Sequence, residues 1–142
     1  MRLFLDSSVV LAACGRASGA SRLIVDLATS QGWELHTCTY IINEVSANVP
    51  RLGAQAVGQW SLLQPKLIPV PDIVSFPWIT VFPAAKDRPV LFTATAWSDV
   101  LLTLDRRDFA EMLGTQFYAL AILKPGEFLR QQRDLGRWVD RP

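Results

Sequence analysis

Five acids stand where one type of segment gives way to another: Asp6 closes an apolar start, Glu44 lies inside a helical stretch, and Asp87, Asp105 and Asp108 follow later. Carboxylates that a fold gathers into one cleft make a site for a hard divalent cation. Magnesium and manganese take carboxylate and water oxygens and need only one or two protein carboxylates per ion, the rest being water or substrate phosphate. Without a cation, crowded acids repel one another and raise some of their pKa values, so such a cluster is costly as decoration. Each acid also has a plain structural reading. Asp6, Asp87 and Asp108 suit helix N-caps, Asp105 suits a turn before Arg106 and Arg107, and Glu44 suits a solvated helix face. Asp26, Asp72 and Asp99 read as turn or surface residues.

Other chemistries are poorly served. Cys14 and Cys38 lack CxxC spacing, and with a single histidine, His36, a zinc site is short of ligands, so buried free thiols are expected. His36 falls in a predicted strand with no evident serine or cysteine partner, which argues against nucleophilic catalysis.

The elements that must position the acids follow from periodicity and punctuation. Residues 2–5 are a brief apolar strand stopped by Asp6, Ser7 and Ser8, which are turn and cap residues. A short helix over 8–14 ends at Gly15, and a second over 21–31 carries Leu23, Ile24, Leu27 and Ala28 on one face and ends at Gly32. A strand at 33–37 leads to a helix that Thr39 can cap, carrying Ile41, Ile42 and Val45 and stopping near Pro50. A helix over 52–63 and a strand at 67–70 come next. Prolines 71, 77 and 83 forbid a regular helix over 71–85, leaving edge strands at 73–74 and 79–81. Asp87 reads as the N-cap of a helix running to Trp97, with Arg88 and Pro89 in its first turn. A strand over 100–104 ends in Asp105, a last strand covers 117–123, and a closing helix over 127–139 offers Phe128, Leu129, Leu135 and Trp138 for docking.

Alternating strands and helices imply a mainly parallel sheet with helices on both faces. In such sheets ligands bind outside the carboxyl ends of the strands. Asp6 and Asp105 both fall at such ends.

The totals are consistent with this. A chain of 142 residues, half of them hydrophobic, suits one domain over 1–142 that buries roughly 70% of its unfolded surface. A net charge of +1 supplies no overall field toward nucleic acid, so any polyanion site must be local. No apolar stretch reaches the roughly 20 residues of a membrane span, and the acid at position 6 excludes a signal peptide, so a cytoplasmic protein is expected. Arg16, Lys86, Arg88, Arg106 and Arg107 flank the acid-bearing segments and are candidates for contacting a phosphate backbone. Of the five tryptophans, most are expected in the core or an interface; Trp78, in a loop between prolines, is the exception.

The ordered set LFLDSSVVLAA, Asn43-Glu44-Val45, Lys86-Asp87-Arg88-Pro89-Val90-Leu91, DVLLTLDRRDF from Asp99 to Phe109, and LKPGEFL from Leu123 to Leu129 resembles the PIN domain, especially the VapC-type toxin nucleases, over essentially the whole chain. The resemblance implies a three-layer α/β/α sandwich with a central, mainly parallel sheet. It also implies a Mg²⁺- or Mn²⁺-dependent ribonuclease centre made by Asp6, Glu44, Asp87 and Asp105. Asp108 matches an acid that some members add. Ser7 and Thr103 match hydroxyls that support the first and last acids. A homodimer and a small antitoxin that blocks the cleft are implied as partners, with RNA as substrate. Trp97, where related sequences often have a small residue, and the proline-rich segment depart from the pattern. Two other readings compete: a non-catalytic PIN-like module that binds RNA or protein, and a receiver-type domain, which the missing acid pair after the first strand disfavours.

Overall fold

The apolar run at the start becomes β1 (Arg2–Leu5), in which Leu3, Phe4 and Leu5 are all fully buried. A strand covered on both faces needs no polar alternation, which is the signature of a central parallel strand. In the computed structural model, which describes residues 1–73 and 88–137 apart from the Arg88 side chain, β1 sits third in a six-stranded sheet.

The described elements alternate as expected. After β1 come α1 (Ser7–Gly15), α2 (Ala20–Gln31), β2 (Glu34–Cys38) and α3 (Thr39–Asn48). Then follow α4 (Ala54–Leu63), β3 (Ile68–Val70), α5 (Arg88–Trp97) and β4 (Val100–Leu102). The chain closes with β5 (Gln116–Phe117), β6 (Leu120–Leu123) and α6 (Pro125–Asp134). Strand order is β3-β2-β1-β4-β6-β5, parallel throughout except for β5 at the edge. Helices flank the sheet, so the architecture is a three-layer α/β/α sandwich.

Local chemistry sets the boundaries. Gly32 ends α2 with φ 66° and gives its N–H to Ala28 and Thr29, a left-handed stop that favours glycine. Cys38, not Thr39, is the N-cap of α3, and its side chain makes no cap hydrogen bond. The carboxylate of Asp72 caps that helix from a distance, accepting from the Tyr40 amide at 3.0 Å. This gives a structural role to an acid expected merely in a turn. Between α3 and α4 a 3₁₀ turn (Val49–Leu52) carries Pro50, and α4 begins only after Gly53.

Three expectations about the last third need correcting. β4 ends at Leu102 rather than at Leu104, because the Leu104 and Asp105 amides turn to side-chain hydroxyls instead of continuing the ladder. The strand expected over 117–123 is a hairpin, turned at Tyr118 with φ 53°. The closing helix stops at Asp134, where Gly136 at φ 64° donates to Arg133, and Leu135 is 60% exposed rather than docked. Trp138, Trp78 and positions 74–87 lie outside the described residues.

One buried cluster spans both faces of the sheet and draws in β1, β4, β6, α1, α3 and α6. Trp33 packs edge-on against Phe128, ring centroids 5.0 Å apart, pinning α6 beside the start of β2. Trp60 is buried as well, whereas Trp97 is half exposed and donates its indole N–H to the Pro71 carbonyl at 3.1 Å. Cys14 and Cys38 are buried free thiols, and burial pushes the Cys38 thiol up to about 12. Among the described residues no single helix is long and apolar enough to cross a membrane.

Candidate active site

β1 stops at Asp6 because its backbone stays extended (φ −65°, ψ 154°) while its side chain caps α1. Oδ1 accepts from the Ser7 amide at 2.9 Å, and the carbonyl receives the first helical N–H bonds, from Val9 and Val10. Such a cap is worth about 1 kcal/mol. The cap does not exhaust the carboxylate. Oδ2 accepts from the Ser8 hydroxyl and from the Thr103 hydroxyl, each at 2.8 Å.

Both hydroxyls also accept a hydrogen bond: Ser8 Oγ from the Leu104 amide and Thr103 Oγ1 from the Asp105 amide, each at 3.0 Å. The junction of β1 with α1 is thereby joined to the loop that leaves β4. The parallel register carries the join inward, with Leu5 opposite Leu102 and the Asp6 amide donating to the Leu102 carbonyl. Two strand ends from opposite parts of the chain are thus held side by side.

Asp105 ends this loop half-buried. Its Oδ1 accepts from the Arg107 and Asp108 amides at 2.8 and 2.9 Å, shaping the turn that Phe109 anchors in the core. Its Oδ2 accepts no hydrogen bond among the described residues. The turn reading and the ligand reading are therefore compatible in one side chain. Asp108 is also half-buried, while Arg106 and Arg107 are exposed.

Electrostatics single out Asp6. Burial raises its carboxyl pKa, the Thr103 and Ser8 hydroxyls and the Ser7 amide oppose that rise, and the negative charge of Glu44 adds to it. All three donors are neutral. Glu44 itself is exposed on α3, yet it is near enough for its charge to register at Asp6.

The expected site residues therefore divide. Asp6, Thr103 and Asp105 are linked by hydrogen bonds, and Glu44 couples to Asp6 through space. Asp87 and Lys86 lie outside the described residues, and Arg88 is described only as the backbone start of α5. Among the described residues no group of three or more His, Cys, Asp or Glu side chains is arranged to hold a metal ion. Ser7 supplies Asp6 with an amide, and the nearby hydroxyl comes from Ser8, which the sequence reading passed over. The signal was present as a hydroxyl two residues after a strand-ending aspartate, a spacing that lets it reach back.

His36 also needs correction. It has a serine partner: Nδ1 lies 3.0 Å from Ser98 Oγ, and Nε2 lies 3.2 Å from Glu34 Oε2. Ser98 and His36 are buried where β4 begins, away from Asp6 at the far end of β1, and the group bridges β2 to β4. The histidine remains a packed strand residue.

No protein-family model matches the chain, and no curated protein is significantly similar to it.

Proposed function

We propose that the protein is a metal-dependent endoribonuclease of the PIN type, acting as the toxin of a toxin–antitoxin pair. The observation that carries this reading is Asp6: a buried carboxylate at a strand's carboxyl end, held among the described residues by neutral donors only and further destabilised by a second carboxylate. Burying an anion without a counter-charge is costly, and a divalent cation is the group that offsets it.

The donor chemistry suits magnesium or manganese, since every candidate ligand is a carboxylate oxygen. Of roughly four lone-pair positions on Asp6, three are filled by the Ser7, Ser8 and Thr103 donors, leaving one for an ion. The uncommitted Oδ2 of Asp105 offers another, and Asp87 and Asp108 complete the proposed set. A bound divalent ion at such a centre lowers the pKa of water and stabilises the leaving oxygen of a phosphodiester. Glu44, exposed and close to Asp6, orients the attacking water. Ser8 and Thr103 fix the Asp6 carboxylate, while Lys86, Arg88, Arg106 and Arg107 meet the RNA backbone. A homodimer and a small antitoxin partner belong to the same proposal.

A non-catalytic RNA- or protein-binding module is the second reading, favoured by the absence of a three-ligand group among the described residues. Incubation of the purified protein with structured RNAs and Mg²⁺ or Mn²⁺ separates the two. Cleavage abolished by EDTA and by Asp6→Asn is expected. Cleavage that survives either treatment contradicts the metal centre, and intact RNA in every reaction favours the module.

A further inference from the structure

A cavity of about 190 Å³ lies against the acid site, lined by Ala12, Arg16, Ser21, Arg22, Leu104 and Gly126 among others. Leu104 ties it to that site, because its amide donates to Ser8 Oγ, which in turn donates to Asp6, and because Asp105 is the next residue. We infer that this cavity is a subsite for a backbone phosphate of single-stranded RNA, next along the strand from the phosphate being cut. The choice of RNA rests on the nuclease reading; the choice of a phosphate rests on the lining.

Four features of the lining favour an anion. Arg16 is exposed at the end of α1, and its guanidinium makes no ion pair among the described residues. Arg22 gives Nε to Asp26 at 3.0 Å and Nη1 to Gln59 at 2.6 Å, which holds the head in place and leaves Nη2 without a partner among the described residues. Ser21 is only 7% exposed, and its hydroxyl makes no hydrogen bond among the described residues. Because Ser21 lines the cavity, that hydroxyl is free to donate to a ligand oxygen there.

The fourth feature is the meeting of two helix starts. α2 begins at Gly19 with no side-chain cap and no acid in its first turn, and its first helical bond is from Leu23 to Gly19. The Ala20, Ser21 and Arg22 amides therefore precede the helical ladder. α6 begins at Pro125, and its first helical bond, from Phe128 to Lys124, leaves the Gly126 amide ahead of it. A Cβ at position 126 would stand 4.0 Å from that of Ala20, so the two starts face each other closely. Exposed amides and the positive ends of two helix dipoles favour a phosphate oxygen. Glu127 is the one nearby acid in α6, and it is engaged by the Lys124 amide at 3.1 Å and ammonium at 4.0 Å.

The test uses the full chain with Asp6→Asn, in EDTA, so that RNA binds without being cut. Inorganic phosphate should shift the amide resonances of Ala20, Ser21 and Gly126 in a saturable way. Gly126→Glu should abolish those shifts while the protein stays folded, since an acid in the first turn favours the helix. Arg16→Gln combined with Gly126→Glu should weaken binding of a short oligouridylate about tenfold at low salt and lower its salt slope by about 0.7. Removing the 5′-phosphate from that oligomer should change nothing; a matching loss of affinity would overturn the backbone assignment in favour of an RNA end. Amides that do not respond to phosphate overturn the cavity proposal whatever the cleavage assay gives. A phosphate response in a protein that cuts no RNA would instead overturn RNA as the ligand.

Discussion

Two aspartates at strand ends show how similar bonding leads to opposite electrostatics. Asp99, just before β4, accepts the Arg2 amide at 2.8 Å and the Arg2 guanidinium at 2.7 Å, and both side chains are well exposed. The Arg2 guanidinium holds its carboxyl below the usual carboxylate range. Asp6, just after β1, also accepts one amide and two side-chain donors, but it is buried, its donors are neutral, and Glu44 adds like charge, so its carboxyl is raised. Hydrogen bonds alone do not settle an anion. The amino end of the sheet carries a paired charge, whereas at the carboxyl end the Asp6 carboxylate has no positive partner among the described residues.

The largest expected separation between them is in activity. Asp6→Asn should lower RNA cleavage by roughly a thousandfold, the scale of losing a central metal ligand, while retaining the cap and a folded protein. Asp99→Asn should leave cleavage unchanged in the same assay. Loss of cleavage in Asp99→Asn with an unchanged melting curve would break the contrast.

Next is Thr103→Val, which keeps the shape but removes one bond to Asp6 and leaves the Asp105 amide without its acceptor. A stability loss of about 1–3 kcal/mol in chemical denaturation is expected. The pH profile of cleavage should move upward as well, because Asp6 loses a donor that favours its charged form, and Thr103→Ser should restore it. A profile that does not move would mean Thr103 is structural only.

The pH dependence of apo stability should run in opposite directions at the two ends. For Asp6 the folded pKa lies above the unfolded value of about 4, so the native state binds the proton more tightly. Stability therefore falls as pH rises from the unfolded pKa through the folded one. For Asp99 the folded pKa is depressed, so its contribution is present above the unfolded pKa and is lost as pH falls through the folded one. Urea midpoints across acid pH should lose the first slope in Asp6→Asn and the second, smaller one in Asp99→Asn, the latter discounted because that pair is exposed.

The smallest effect concerns the neighbouring serines. Ser8→Ala removes a hydroxyl that bridges Asp6 to Leu104, and a loss of about 1 kcal/mol is expected. Ser7→Ala keeps the amide that caps Asp6 and should cost less than half as much by thermal melting. The reverse order would return the supporting role to Ser7.

Much of the fold was legible because it depends on local chemistry. The apolar run stopped by Asp6 and the left-handed stop at Gly32 are written in consecutive residues. The hairpin at Tyr118 was not, since a tyrosine in a left-handed conformation gives no composition cue of the kind glycine or asparagine would. Nor was the distant cap of Asp72 on α3 or the His36–Ser98 contact, which join residues far apart in sequence. At the candidate site, the position of Asp6 at a strand end followed from the pattern. That the hydroxyls of Ser8 and Thr103 serve the same oxygen depends on the β1–β4 register, which spacing alone does not reveal.

The most direct measurement is an NMR titration of the Asp6 carboxyl carbon with pH, without and with Mg²⁺. A pKa above the ordinary aspartate range is expected in the metal-free protein, with a marked drop when Mg²⁺ is present, because the cation then stabilises the charged form. A metal-free pKa at or below the ordinary range, or one that Mg²⁺ leaves unmoved, would contradict the metal centre.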